Sequence, residues 1–170
     1  MQIILNNVAP VFMDKSTTAQ SDIWNKHVAI GPGERVQIVA PSGSGKTSLI
    51  SFIYGLRKDY TGDIFIDEKN TRSFSAEDWA KYRSAHLSIM FQDLRLFPHQ
   101  TGRENIEIKR KLQPYKKPES MEAMSDALGI QAKLNQQAQI CSYGEKQRIA
   151  LIRALQQPFD CILLDEPFSH

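Results

Sequence analysis

Cysteine is scarce in this chain: two in 170 residues, Cys141 and Cys161. Neither stands in a metal-ligand spacing. That argues against a disulfide scaffold or zinc module and for reduced thiols packed as small apolar groups in the cytoplasm. No apolar run approaches the length of a membrane span, so any transport role calls for a separate membrane partner. The start, Met1-Gln-Ile-Ile-Leu-Asn-Asn7, has neither a basic segment nor a long apolar stretch and does not read as a signal peptide. An excess of one charge is also missing. Twenty-one Lys and Arg against 19 Asp and Glu leave a net charge of +2, which argues against a dedicated nucleic-acid binder. Repeats and low-complexity tracts are absent. The 41% apolar content and the length suit one globular domain with a real core.

The most informative stretch is Ala40-Pro-Ser-Gly-Ser-Gly-Lys-Thr47. It follows a strand-like run, Arg35-Val-Gln-Ile-Val39, and opens a helical one, Ser48-Leu-Ile-Ser-Phe-Ile-Tyr54. Gly43 and Gly45 let the backbone curl so that successive N–H groups face an anion. The helix start adds its positive dipole end. Lys46 brings a full charge to the β- and γ-phosphates, and the Thr47 hydroxyl is a ligand for Mg²⁺. Ser42, Ser44 and Ser48 complete the set read as surrounding the phosphates. Ala40 stands where such loops usually have a first glycine. A glycine turn before an ordinary helix is the simpler reading, and the strand-before, helix-after context weighs against it.

Near the end comes Cys161-Ile-Leu-Leu-Asp165-Glu166-Pro167. Four apolar residues before two carboxylates predict a buried strand that delivers acids to its C-terminal tip, where open parallel sheets bind ligands. Asp165 is placed to hold Mg²⁺ through a water, and Glu166 to act beside the attacking water as general base or water positioner. A solvated acidic turn after a strand has the same appearance.

A third stretch, Cys141-Ser-Tyr-Gly-Glu-Lys-Gln-Arg148, leads into Ile149-Ala-Leu-Ile-Arg-Ala-Leu155. Ser142 with Glu145 three residues later is a capping box, so a helix is predicted from Ser142. Ser142, Gly144 and the helix-start N–H groups form a second anion site. A well-capped core helix is the plainer alternative.

In this order the residues resemble the nucleotide-binding subunit of ATP-binding cassette (ABC) transporters. The phosphate loop at 40–47 is followed by a glutamine after a strand, Ile89-Met-Phe-Gln92-Asp93, then the signature at 141–145, then Asp165-Glu166-Pro167. Four ordered motifs cover nearly the whole chain. The family signature usually reads Leu-Ser-Gly-Gly-Gln; here it is Cys-Ser-Tyr-Gly-Glu, which keeps Ser142 and Gly144 but puts a carboxylate at position 145. The wording around Phe91–Pro98 is similar to the small ATPases of lipoprotein release, macrolide export and cell division.

The resemblance implies an α/β fold: a RecA-like P-loop NTPase core with an antiparallel β subdomain and a helical insertion. A single ATPase domain would span 1–170, with core at 1–92 and 141–170 and the helical subdomain at 93–140. It implies ATP and Mg²⁺ as ligands. It also implies a second cassette paired head to tail, so that each ATP lies between one phosphate loop and the partner's signature. Gln92 would contact Mg²⁺ and couple the attacking water to an integral membrane subunit at the cytoplasmic face of the membrane. Phe12 is the candidate aromatic for stacking on adenine. The family continues past Pro167 with further strands and a switch histidine; His170 falls too soon to be that histidine, so the chain looks truncated. Two competing readings stand beside transport: a soluble ABC ATPase of translation or DNA repair, and a fragment without activity.

Other elements follow from local signals. Short strands with turns at 14–21 and 31–33 are expected over residues 2–39, and a turn at Tyr60-Thr-Gly62 before a strand, Asp63–Ile66. Ser75 and Asp78 predict a capped helix to about Ser84, and Leu87–Phe91 a buried strand. From Leu94 to Ile140 the pattern predicts helix throughout, with Thr101 and Glu104 as a cap, Pro118 at a start and Gly129 at an end. The basic residues Lys109, Arg110, Lys111, Lys116 and Lys117 read as a solvated helix face, with lipid headgroups as the rarer alternative. Leu94-Arg-Leu-Phe-Pro98 matches the region where the family docks a coupling helix.

Overall fold

The computed structural model describes residues 1–112 and 114–167, so His170 lies outside the described residues. The chain divides into two compact units, Met1–Arg83 and Ser84–His170.

The first unit is built on an antiparallel sheet of order β2-β1-β3-β4. Its strands are β1 (Ile3–Pro10), β2 (His27–Ile30), β3 (Tyr60–Ile66) and β4 (Lys69–Asn70). In the β1–β3 register Ile3 faces Ile66 and Leu5 faces Ile64. All four are buried, so the period-2 alternation puts one apolar face into the core. The expected turn at Tyr60–Gly62 is instead the first part of β3. The strand passes through it because the β1–β3 pairing shifts register between Asn6 and Ala9. Gly62 makes that bulge possible: its φ is +73°, and a Cβ there would lie 2.2 Å from the Asn7 carbonyl oxygen.

Three helices accompany the sheet: α1 (Lys15–Ala19), α2 (Lys46–Ile53) and α3 (Ala76–Ala85). On α2 the buried Phe52 packs edge-on against Trp24, with centroids 6.4 Å apart, and against Tyr60 of β3 at 4.9 Å. That anchors the last turn of α2 to the sheet. The predicted cap of α3 is present: Asp78 accepts from the Ser75 N–H at 2.9 Å, and Ser75 Oγ accepts from the Asp78 N–H at 3.1 Å.

Arg35–Val39, expected as a strand, is not one. The segment has no ladder partner among the described residues, and Val39 is 84% exposed. A strand of a parallel sheet has no hairpin neighbour to pair with locally; it needs partners that are distant in sequence.

The second unit holds β5 (Leu87–Met90) and β6 (Cys161–Leu164), which pair in parallel with Leu87 opposite Cys161 and Met90 opposite Leu164. Buried Ser88 bridges to α6 (Tyr143–Ala154), donating to the Ala154 carbonyl at 2.6 Å. Helices α4 (Gly102–Leu112), α5 (Pro118–Ala127) and α6 enclose a core of Ile106, Met121, Ile130, Leu134, Cys141, Ile149 and Ile152.

Helix is not continuous from Leu94 to Ile140. Between the helices lie 3-10 turns at Gln131–Lys133 and Ala138–Ile140, and residues 94–100 are irregular. The buried side chain of Asn105 explains part of this. Its Oδ1 accepts from the Phe97 N–H at 2.8 Å, and its Nδ2 donates to the carbonyls of Phe97 and Thr101, each at 3.0 Å. The Phe97 N–H, which a helix would have paired, is satisfied by this amide instead.

Candidate functional site

The predicted site residues fall on both units, so each half stands on its own geometry. In the first unit, residues 41–45 form a turn that runs into α2. Gly43 and Gly45 have φ of +79° and +93°, the left-handed conformation the glycine pattern predicts. At Gly45 a Cβ would meet Met13 Cε and Trp24 Cζ2 at 2.9 Å, so the loop backs tightly onto these side chains. The Trp24 indole N–H donates to the Ser44 carbonyl at 3.0 Å and pins the curl in place.

Helix α2 starts at Lys46 with Gly45 as its N-cap, which supplies no side-chain acceptor to the first-turn amides. The helix dipole adds partial positive charge at this end. Lys46 Nζ donates to the Ala40 and Pro41 carbonyls at 2.8 and 3.1 Å, so the ammonium lies across the mouth of the loop. Thr47 is exposed on the first turn, with Ser42 on the loop and Ser48 beside it. Buried Ser44 Oγ has no hydrogen-bond partner among the described residues. An orphaned hydroxyl, a left-handed glycine pair and an uncapped helix start are the donor set of an anion cradle. The loop opens onto a cleft of about 960 Å³ within this unit, ample for a triphosphate.

Phe12 sits in the turn that ends β1 and is 56% exposed. The guanidinium carbon of Arg57 lies 4.7 Å above its ring centroid.

In the second unit, Asp165 and Glu166 follow β6 directly, as predicted, but the strand is half-buried rather than buried, with Leu164 exposed. Asp165 is buried, and its N–H donates to the Met90 carbonyl at 3.0 Å, extending the β5–β6 ladder to the acid. Glu166 has φ of +48°, a conformation few non-glycine residues adopt. Its Oε2 accepts from Gln92 Nε2 at 3.1 Å. The tip of the parallel pair therefore brings Gln92 and Glu166 into contact, with Asp165 between Glu166 and the strand. The Tyr143 hydroxyl donates to the Gln92 carbonyl at 3.3 Å and links the Ser142 helix to the same tip.

At the start of α6 the capping box is complete. The Ser142 N–H donates to Glu145 Oε2 at 2.7 Å, and Ser142 Oγ accepts from the Glu145 N–H at 3.3 Å. Those bonds, above all the one from the Ser142 backbone, hold the Glu145 carboxyl below the usual glutamate range. Lys133 Nζ lies 3.3 Å from Glu145 Oε1. Position 145 thus carries a carboxylate whose charge is met by an ammonium and a helix start. Gly144 follows in the first turn. Burial pushes the Cys141 thiol up, consistent with a packing role.

Sequence reading missed Trp24, Lys133, Tyr143, Arg57 and Arg153. Arg153 donates to the Leu94 and Arg95 carbonyls and fastens the segment after Gln92. Trp24, Lys133, Tyr143 and Arg153 had no local signal, because the partners they meet are remote in sequence; Arg57 also has near partners, Asp59 and Ser48, but their spacing matches no cap or turn motif.

Within the first unit, the loop and the start of α2 suit the phosphates of a nucleotide. Among the described residues no cluster of three or more His, Cys, Asp or Glu could cage a metal. Mg²⁺ sites commonly combine one or two protein oxygens with substrate phosphates and waters; Thr47 in the first unit, and Gln92 and Asp165 in the second, each carry an oxygen of that kind.

Comparisons with known proteins point the same way. A family model described as ABC transporter matches residues 24–169. The chain is 32% identical over 144 residues to the lipoprotein-releasing system ATP-binding protein LolD of Saccharophagus degradans, covering 83% of this chain and 63% of that protein. It is 35% identical over 173 residues to the thiamine import ATP-binding protein ThiQ of Haemophilus influenzae, covering 98% of this chain and 73% of that protein. With the oligosaccharides import ATP-binding protein MsmX of Bacillus subtilis it shares 32% over 162 residues, 94% of this chain and 42% of that protein. The chain thus spans between 42% and 73% of the length of these three relatives. Among solved structures, the dimeric ABC transporter cassette MJ0796 superposes with a TM-score of 0.82 at 26% identity, covering 98% of this chain and 75% of that one.

Proposed function

The chain belongs to the ABC transporter ATP-binding family, and on that premise we propose that it binds ATP and couples its hydrolysis to transport through a separate membrane subunit. The carrying observation is the phosphate loop: left-handed Gly43 and Gly45, an α2 start without a side-chain cap, and Lys46 across the mouth. Residues 1–92 with 141–170 make the core of this domain and 93–140 its helical subdomain.

Each residue has a role set by its chemistry. Ser42, Gly43, Ser44, Gly45 and Ser48 surround the phosphates, and Lys46 neutralises charge on the β- and γ-groups. Thr47, Gln92 and Asp165 would hold Mg²⁺, which when bound would offset phosphate charge. Glu166 orients and deprotonates the attacking water, with Gln92 holding its carboxylate. Phe12 carries the base. Ser142 and Gly144 serve the nucleotide of a second cassette, paired head to tail; the solved MJ0796 cassette is itself described as dimeric.

No described helix is long and apolar enough to cross a membrane; on the transporter reading, the transport path lies in a separate subunit and this chain works at the membrane surface. Leu94–Pro98 is the docking segment. Arg153 and Asn105 clamp its backbone, while Phe97 remains exposed. The relatives include importers of sugars and thiamine as well as a lipoprotein-release system, so cargo lies with the membrane partner.

Lys46→Ala tests the reading. Nucleotide binding by calorimetry should fall below detection, and unchanged binding refutes the phosphate loop. Co-purification of an integral membrane subunit supports transport; co-sedimentation with ribosomes or DNA would replace it with a soluble ABC role.

A further inference from the structure

Phe12 stands on an exposed turn, where an aromatic ring would ordinarily sample several rotamers. Its neighbourhood restrains it. Arg57 Cζ lies 4.7 Å from the Phe12 centroid and 5.7 Å from that of buried Phe52 on α2, so one guanidinium covers two rings. The guanidinium is oriented by Asp59: Nε donates to Oδ1 at 2.9 Å, and Nη2 donates to Oδ2. Its third nitrogen, Nη1, reaches Ser48 Oγ at 3.4 Å, in the first turn of the phosphate-loop helix. The Asp59 carbonyl also accepts the Val11 N–H at 3.0 Å, which fixes the backbone that bears Phe12. Asp59 thus holds the guanidinium through its side chain and the aromatic turn through its backbone.

We propose that Arg57, held by Asp59, is a positioning residue for the nucleotide base: it fixes the Phe12 ring as a stacking platform and ties that platform to the phosphate-binding helix. The proposal rests on the nucleotide reading above. Its logic is geometric. A guanidinium fixed on one face of Phe12 leaves the opposite face as the stacking surface for a purine. Through Ser48 the same guanidinium links the base platform to the element that holds the phosphates. The preferred ligand is therefore a purine nucleoside triphosphate rather than a bare polyphosphate. A planar, forked cation suits both jobs, whereas a lysine would supply charge without the fork.

The test compares MgATP with magnesium tripolyphosphate, which has the phosphates but no base, by calorimetric titration of the full 170-residue chain. Arg57→Ala should weaken ATP about five-fold, the scale of an exposed cation–π contact, and leave tripolyphosphate unchanged. Arg57→Lys should fall between wild type and alanine; its thermal melt, expected at the wild-type position, guards against misfolding. If ATP affinity is unchanged while both ligands still bind, the proposal is overturned and the phosphate-loop reading stands. Equal loss of both ligands also overturns it, because Arg57 would then serve the phosphates or the fold. Failure of the wild-type chain to bind either ligand overturns the proposal together with the nucleotide reading.

Discussion

At the scale of single residues, the chemistry concentrates where side chains have little choice of position. Glu166 is held by a left-handed backbone and by Gln92 at 3.1 Å. Its proposed role as general base predicts that Glu166→Gln keeps ATP binding but slows steady-state hydrolysis at least about a hundred-fold. Phosphate release over time, measured beside a binding titration, checks both halves; wild-type turnover in the variant would remove Glu166 from the chemistry. The motif residues were legible because glycine, lysine and paired carboxylates have few other uses at those spacings. Trp24 and Lys133 were not, because the Ser44 carbonyl and Glu145 that they meet are distant in sequence.

Among elements, helix starts were the most legible, since a capping box is complete within four residues. Ser75 with Asp78, Thr101 with Glu104 and Ser142 with Glu145 all form as predicted. At α4 the Thr101 backbone N–H holds the Glu104 carboxyl below its ordinary range. A depressed folded value stabilises the protein at pH above the ordinary value of about 4.3, and that contribution is lost as pH falls through the folded value. Glu104→Ala should therefore lower the urea midpoint near neutrality, and the gap to wild type should close in acid; a gap that persists in acid would contradict the cap.

Strands were harder to read, because their partners are remote. Gly62 looked like a turn before β3 and is instead the bulge within it, while Arg35–Val39 looked like a strand and lacks a partner among the described residues. Gly62→Ala should cost about 2 kcal/mol or more, from positive φ and the close Asn7 carbonyl. Urea denaturation measures it, and a neutral result would mean that the β1–β3 register is not as described.

For the whole molecule, the α/β class with an antiparallel N-terminal part and a helical part was visible in the order of motifs, and the family match over residues 24–169 agrees. The loop lies in one compact unit and the acids in the other, and each was legible only through its own local motif. The proposed function requires that Lys46 of the first unit and Asp165 of the second act on one magnesium triphosphate. ATP titrations with and without Mg²⁺, on wild type and Asp165→Asn, test it most directly. The prediction is that Mg²⁺ strengthens ATP binding in the wild type and that Asp165→Asn removes most of that gain while metal-free binding through the loop persists. An Asp165→Asn chain with the full Mg²⁺ enhancement would show that the two halves do not share a ligand.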